Sequence, residues 1–105
     1  MTLRAVCPLA ALEPEQPTLF EADGQRIAVV RVGEEVFAVS EQCTHEDWSL
    51  CDGYVDNDVI ICPLHGARFS LRTGALLLAP GDGPLDVYPV HIEDDLVWVD
   101  TEPRR

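Results

Sequence analysis

Cys43-Thr44-His45 and Cys62-Pro63-Leu64-His65 each place one thiol and one imidazole within the reach of a single turn, with 16 residues between His45 and Cys62. Two soft thiolates and two imidazoles on short loops make a donor set for a transition metal or an iron–sulfur centre. The pairs use two of only three histidines and two of four cysteines, which argues against coincidence. A tetrahedral structural zinc site, which takes two Cys and two His readily, is the direct chemical competitor. His91 lies in a strand-like segment and reads as an ordinary side chain. Cys7 and Cys51, outside both pairs, read as buried or half-buried thiols, and four cysteines in a chain of this kind argue for metal binding before disulfides. No Gly-rich phosphate loop or paired-carboxylate setting accompanies them, so nucleophilic and phosphate chemistry lack their residues.

The elements that must position the four donors are short strands. Residues 26–32 are β-branched and apolar, a turn follows at Gly33-Glu34-Glu35, and residues 36–39 return as the hairpin partner. Residues 54–55 and 59–61 flank Asp56-Asn57-Asp58; residues 68–71 and 75–78 flank Arg72-Thr73-Gly74; residues 86–92 and 96–99 flank Glu93-Asp94-Asp95. The 54–61 hairpin occupies most of the chain between the two donor pairs and returns its ends to one place, so both donor loops can meet at one tip. Residues 79–84, with two Pro and two Gly, read as a stiff loop. A weak helical signal near residues 7–13 is the sole departure from an all-β pattern, and residues 101–105 read as a frayed tail. The expected fold class is all-β, an antiparallel sandwich or small barrel.

A chain of 105 residues supports one domain with one modest core. No stretch is long and apolar enough for a bilayer, and the proline-broken N-terminus makes a poor secretory signal, so a cytoplasmic location is expected. Nineteen acidic residues oppose seven arginines, for a formal net charge of −12. That charge disfavours nucleic acid and anionic membranes as partners and favours a basic protein surface.

The spacing Cys43-x-His45, 16 residues, Cys62-x-x-His65 is similar to the motif of Rieske iron–sulfur proteins. Its surroundings, Cys-Thr-His-Glu-Asp-Trp-Ser-Leu, Cys-Pro-Leu-His-Gly-Ala-Arg-Phe and Arg-Thr-Gly, resemble the ferredoxin components of bacterial aromatic-ring-hydroxylating dioxygenase systems from about Ile27 to Val99. The resemblance implies a Rieske-type antiparallel β-sandwich filling residues 1–105, with a cluster-binding subdomain of about residues 40–84 at one end. It implies one [2Fe-2S] cluster, with Cys43 and Cys62 on the inner iron and His45 and His65 on the outer one, and with the Pro80 to Pro84 loop covering it. Neutral imidazoles in place of two thiolates leave the oxidised centre without formal net charge, which raises its potential over all-Cys ferredoxins.

Departures from the respiratory members of the family narrow the expectation further. Those carry hydroxyl side chains two and four positions after the second His, where this chain has Ala67 and Phe69, and a disulfide between the two loops, where it has Leu64 and Trp48. Cys51 falls three residues past the Trp48 position. A low potential, about −150 mV at the bottom of the Rieske range, and no such bridge are therefore expected. A Rieske domain can also open an oxygenase, but a mononuclear iron needs two His and a carboxylate, and only His91 is left. The expected role is a monomeric one-electron carrier, not an enzyme, accepting from a flavin-containing NAD(P)H-dependent reductase and donating to a terminal oxygenase. Trp48, Pro63, Leu64 and Pro80 are candidates for an apolar rim. A permanently bound small subunit of a nitrite reductase-like enzyme and a zinc interaction module are the alternatives.

Overall fold

The computed structural model describes residues 2–42, 49–63, 66–78 and 83–103. Among the described residues, three antiparallel sheets are stacked. The first has the order β1 (Leu3–Pro8), β11 (Leu96–Asp100), β10 (Val90–Glu93). The second runs β2 (Thr18–Ala22), β3 (Gln25–Val32), β4 (Glu35–Ser40), β9 (Val87–Tyr88). The third is a meander of β5 (Tyr54–Asp56), β6 (Val59–Ile61), β7 (Arg68–Ser70) and β8 (Leu76–Leu78).

β3 explains the stacking. Its run Ile27-Ala28-Val29-Val30 is wholly buried, because successive side chains point to opposite faces and both faces are covered. Ile27 and Val29 pack with Leu12, Ala38, Tyr88, Val97 and Val99 on one side. Ala28 and Val30 pack on the other with Val39, Leu50, Ile60, Phe69, Leu71 and Cys62. The second sheet is thus the middle layer of three, and the expected sandwich is doubled.

All four expected hairpins form, with one difference at residues 86–92. Pro89 lacks an N–H and interrupts the ladder, so this segment is two strands: β9 pairs with β4 in the middle sheet and β10 with β11 in the outer one. Two further strands, β1 and β2, appear at the N-terminus, and the weak helical signal there resolves into the end of β1 and a single 3-10 turn at Leu9–Ala11. The C-terminus corrects the expectation of a frayed tail beginning at Thr101. Thr101 is buried, its N–H donates to the Thr2 carbonyl at 2.9 Å, and its hydroxyl donates to Asp23 Oδ2 at 2.8 Å. Arg4 holds Asp23 from the other side with two bonds of 2.8 Å, which with the Thr101 bond keeps that carboxyl below its ordinary range.

Arg72 pins the third sheet to the second. Its guanidinium grips Glu35, at the start of β4, through two bonds of 2.8 Å, donates to Asp58 in the β5–β6 turn at 3.0 Å, and lies 5.1 Å over the Phe37 ring. Bidentate geometry and a shared cation make this more than an isolated surface pair, although exposure and salt weaken it. Arg72→Met is expected to lower the melting temperature by a few degrees at low ionic strength, with the difference shrinking in high salt. Arg72 holds the Glu35 carboxyl below its ordinary pKa of 4.5. A depressed carboxylate contributes fully above its unfolded-state pKa, so this contribution fades as pH falls below about 4.5 and through the lower folded value. Thermal melts of the two proteins across pH and salt check this; equal melting temperatures throughout would contradict it.

Candidate iron–sulfur centre

Of the four residues expected to be donors, Cys62 is the one among the described residues. Cys43 and His45 fall in residues 43–48 and His65 in residues 64–65, outside those described, as do Trp48, Leu64 and Pro80. What the structure fixes is the framework from which these segments depart.

Cys62 follows β6 directly and is 2% exposed. Its N–H donates to the Ala67 carbonyl at 2.8 Å, and its own carbonyl accepts from Gly66 N–H at 3.1 Å. These bonds bring Gly66 and Ala67 back beside Cys62, where β6 passes to β7. Ala67 and Phe69, which stand where respiratory relatives have hydroxyls, are fully buried in the same core cluster as Cys62. Those positions serve packing here.

The first donor segment is stapled at its root. Glu41 donates its N–H to the Arg26 carbonyl at 3.0 Å and accepts from Leu50 N–H at 2.7 Å, and Gln42 and Ser49 form an antiparallel bridge. The Glu41 side chain is largely buried and takes Arg26 Nε at 2.9 Å. Ser49 Oγ accepts from Cys51 N–H at 3.1 Å and opens the 3-10 turn Leu50–Asp52. Gly53 then lets the chain lie against β6, since a Cβ there would collide with the Ile61 carbonyl oxygen. The end of the first segment is thereby pressed against the residue preceding Cys62.

The register completes the picture. Tyr54 pairs with Ile61, Ile61 with Arg68, and Arg68 with Leu78, so these four form one transverse row at one end of the third sheet. Residues 49–53 lead into the row at Tyr54, Cys62 follows Ile61 and Ala67 precedes Arg68 at its middle, and Leu78 closes it. The described strand ends at this row gather at one edge, beside a buried cysteine. A buried thiol at that edge fits a thiolate ligand of an iron–sulfur centre.

The remaining described cysteines lie on opposite sides of the middle sheet. Cys7, at the bulge of β1, packs against the core on one side of the middle sheet, and Cys51 against the core on the other, so the two do not pair. Burial pushes both thiols up from their ordinary pKa; for Cys51 the Ser49 hydrogen bond opposes it. His91 is exposed on edge strand β10, with Nε2 3.3 Å from Glu93 Oε2. No helix among the described residues is long and apolar enough to cross a membrane.

Residues 2–89 match the family model of the Rieske [2Fe-2S] domain. Over 102 residues the chain is 40% identical to the ferredoxin component of biphenyl 2,3-dioxygenase from Rhodococcus jostii (strain RHA1), covering 97% of this chain and 95% of that one. The fold superimposes with a TM-score of 0.92, at 34% identity, on a chain from the complex of reduced oxygenase and oxidised ferredoxin in carbazole 1,9a-dioxygenase, covering 98% of this chain and 96% of that one. A nitrite reductase small subunit from Mycobacterium tuberculosis shares the fold with a TM-score of 0.86 over 99% of this chain and 96% of that one, but at 20% identity the likeness is one of fold alone. With a family-model match over residues 2–89 and a ferredoxin relative 40% identical across nearly the whole chain, the chain belongs to the Rieske [2Fe-2S] family and carries one cluster of that type.

Proposed function

We propose that the chain is a one-electron carrier, taking electrons from a flavin-containing NAD(P)H-dependent reductase and delivering them to a terminal aromatic-ring-hydroxylating oxygenase. The observation that carries this reading is the 40% identity to a dioxygenase ferredoxin component across nearly the full length of both chains. Cys43 and Cys62 would hold one iron and His45 and His65 the other, supplying a centre that stores one electron reversibly. The chain acts as a monomer in the cytoplasm and has no substrate of its own.

What the protein's own residues contribute is placement. The Cys62 hydrogen bonds and the Glu41–Leu50 bond support this, since they fix the described residues on either side of the donor segments and would hold those segments at one end of the third sheet. The core behind them, with Leu50, Ile60 and Phe69 fully buried, keeps water from the inner side. Ala67 and Phe69 offer no hydroxyl donors, so the reduced state lacks that stabilisation and the potential falls at the low end of the class, about −150 mV.

A redox titration monitored by electron spin resonance tests both parts. The expected result is a brown protein with an anisotropic signal that appears only on reduction, and a midpoint near the stated value. A colourless zinc-containing protein would overturn the cluster assignment, and a clearly positive midpoint the argument from Ala67 and Phe69. Reduction by a flavoprotein reductase followed by reoxidation by the oxygenase, from a species that elutes as a monomer, separates a shuttle from a fixed subunit.

A further inference from the structure

The transverse row at the cluster end presents more than a root for the donor segments. Side chains opposite one another across neighbouring strands share a face, so Tyr54, Ile61, Arg68 and Leu78 line the outer face of the third sheet, while Ile60 and Phe69 face the core. Tyr54 is 66% exposed and Leu78 52%, with Leu77 beside it at 56%. Large apolar side chains gathered at one surface mark contact sites. Arg68, exposed in the middle of the row, forms no ion pair among the described residues. Every other described arginine is engaged: Arg4 with Asp23, Arg26 with Glu41, Arg72 with Glu35 and Asp58, and Arg31 with the Gly33 and Leu9 carbonyls. An unengaged cation at the cluster end is conspicuous on a protein of net charge −12.

We infer that the Tyr54–Arg68–Leu78 row is the flank on which the terminal oxygenase docks, meeting it with an apolar strip and a carboxylate opposite Arg68. The inference rests on the shuttle reading above and adds to it the surface that selects the acceptor. Position favours it, because Arg68 adjoins Ala67, the hydrogen-bond partner of Cys62, so an occupant of the row also reaches the cluster end. Charge favours the oxygenase over the reductase. A flavin- and dinucleotide-binding protein gathers positive groups around its ligands' phosphates, and the acidic bulk of this chain already suits it. A cation on that background suits a partner of the other kind.

The test is stopped-flow transfer from the reduced holoprotein to the oxidised terminal oxygenase of Rhodococcus jostii biphenyl 2,3-dioxygenase, with that system's reductase as donor and cytochrome c as a basic control acceptor. Arg68→Glu is expected to lower the second-order rate constant to the oxygenase by about tenfold, and Tyr54→Ser with Leu78→Ser by about fivefold, while Arg68→Lys stays within about twofold. Reduction by the reductase should change less than about twofold, and transfer to cytochrome c should be unchanged or faster for Arg68→Glu. Oxygenase transfer by Arg68→Glu at the wild-type rate, or an equal loss towards all three proteins, would overturn the docking assignment and leave the shuttle standing. Failure of the reduced wild-type protein to pass electrons to the oxygenase would overturn the shuttle reading itself.

Discussion

Cys62→Ser is expected to abolish retention of the cluster, leaving less than about a tenth of the iron and acid-labile sulfide of the wild type and no signal on reduction. A serine oxygen is a hard, weakly acidic donor where the centre takes a soft thiolate. The site gives it no latitude, because Cys62 is 2% exposed and bonded through both its N–H and its carbonyl to the turn that follows. The matching variants Cys7→Ser and Cys51→Ser should keep their iron, since both thiols are outside the two donor pairs. Iron and sulfide analysis with visible spectra of the three proteins checks this. Iron loss from Cys51→Ser equal to that from Cys62→Ser would mean that the ligand set has been misassigned.

Gly74→Ala should be among the most damaging substitutions that leave every donor in place, at roughly 2–4 kcal/mol of stability. Gly74 sits at φ +77°, donates to the Ser70 carbonyl at 2.8 Å, and accepts from Leu85 N–H at 2.8 Å, where the chain returns after residues 79–82. A Cβ would run into the Leu85 carbonyl oxygen and crowd a Val87 methyl at 3.0 Å. Gly24, at φ +76°, has the same backbone conformation with nothing within 4 Å of a Cβ. Gly24→Ala therefore isolates the cost of the left-handed conformation, about 1 kcal/mol. Denaturant unfolding of both holoproteins gives the comparison, and equal losses would show that the Leu85 contact yields without cost. Because Gly74 anchors the return from residues 79–82, its variant should also lose iron faster to a chelator than Gly24→Ala does.

The β3–β4, β5–β6, β7–β8 and β10–β11 hairpins were legible because their turn residues and apolar alternation are local signals. Asn57, Asp94 and Asp95, all at positive φ, are residue types that tolerate that conformation. The [2Fe-2S] cofactor was legible for a similar reason: the residue types and spacing that suggest it sit in short segments. β2 escaped because its residues Thr-Leu-Phe-Glu-Ala are mixed, although the Asp23-Gly24 dipeptide that turns it into β3, at φ 52° and 76°, was a usable hairpin signal. β1 had no such signal. Its partner β11 lies at the other end of the chain, and pairing over that separation leaves no local trace. The docked Thr101 failed for the same reason, since its partners are Thr2 and Asp23. The roles of Arg72 and Arg68 depend on register across strands, which no single segment displays.

On the shuttle reading, the one edge at which Tyr54, Ile61, Arg68 and Leu78 line up beside Cys62 makes the carrier a container with one door. A donor and an acceptor that both need that door must queue for it. Turnover of the whole system should then rise and fall with the amount of reductase at fixed carrier, because surplus reductase occupies the door that the oxygenase requires. The best stoichiometry is accordingly one in which the carrier outnumbers both of its partners, so that loading and unloading proceed on different copies at once.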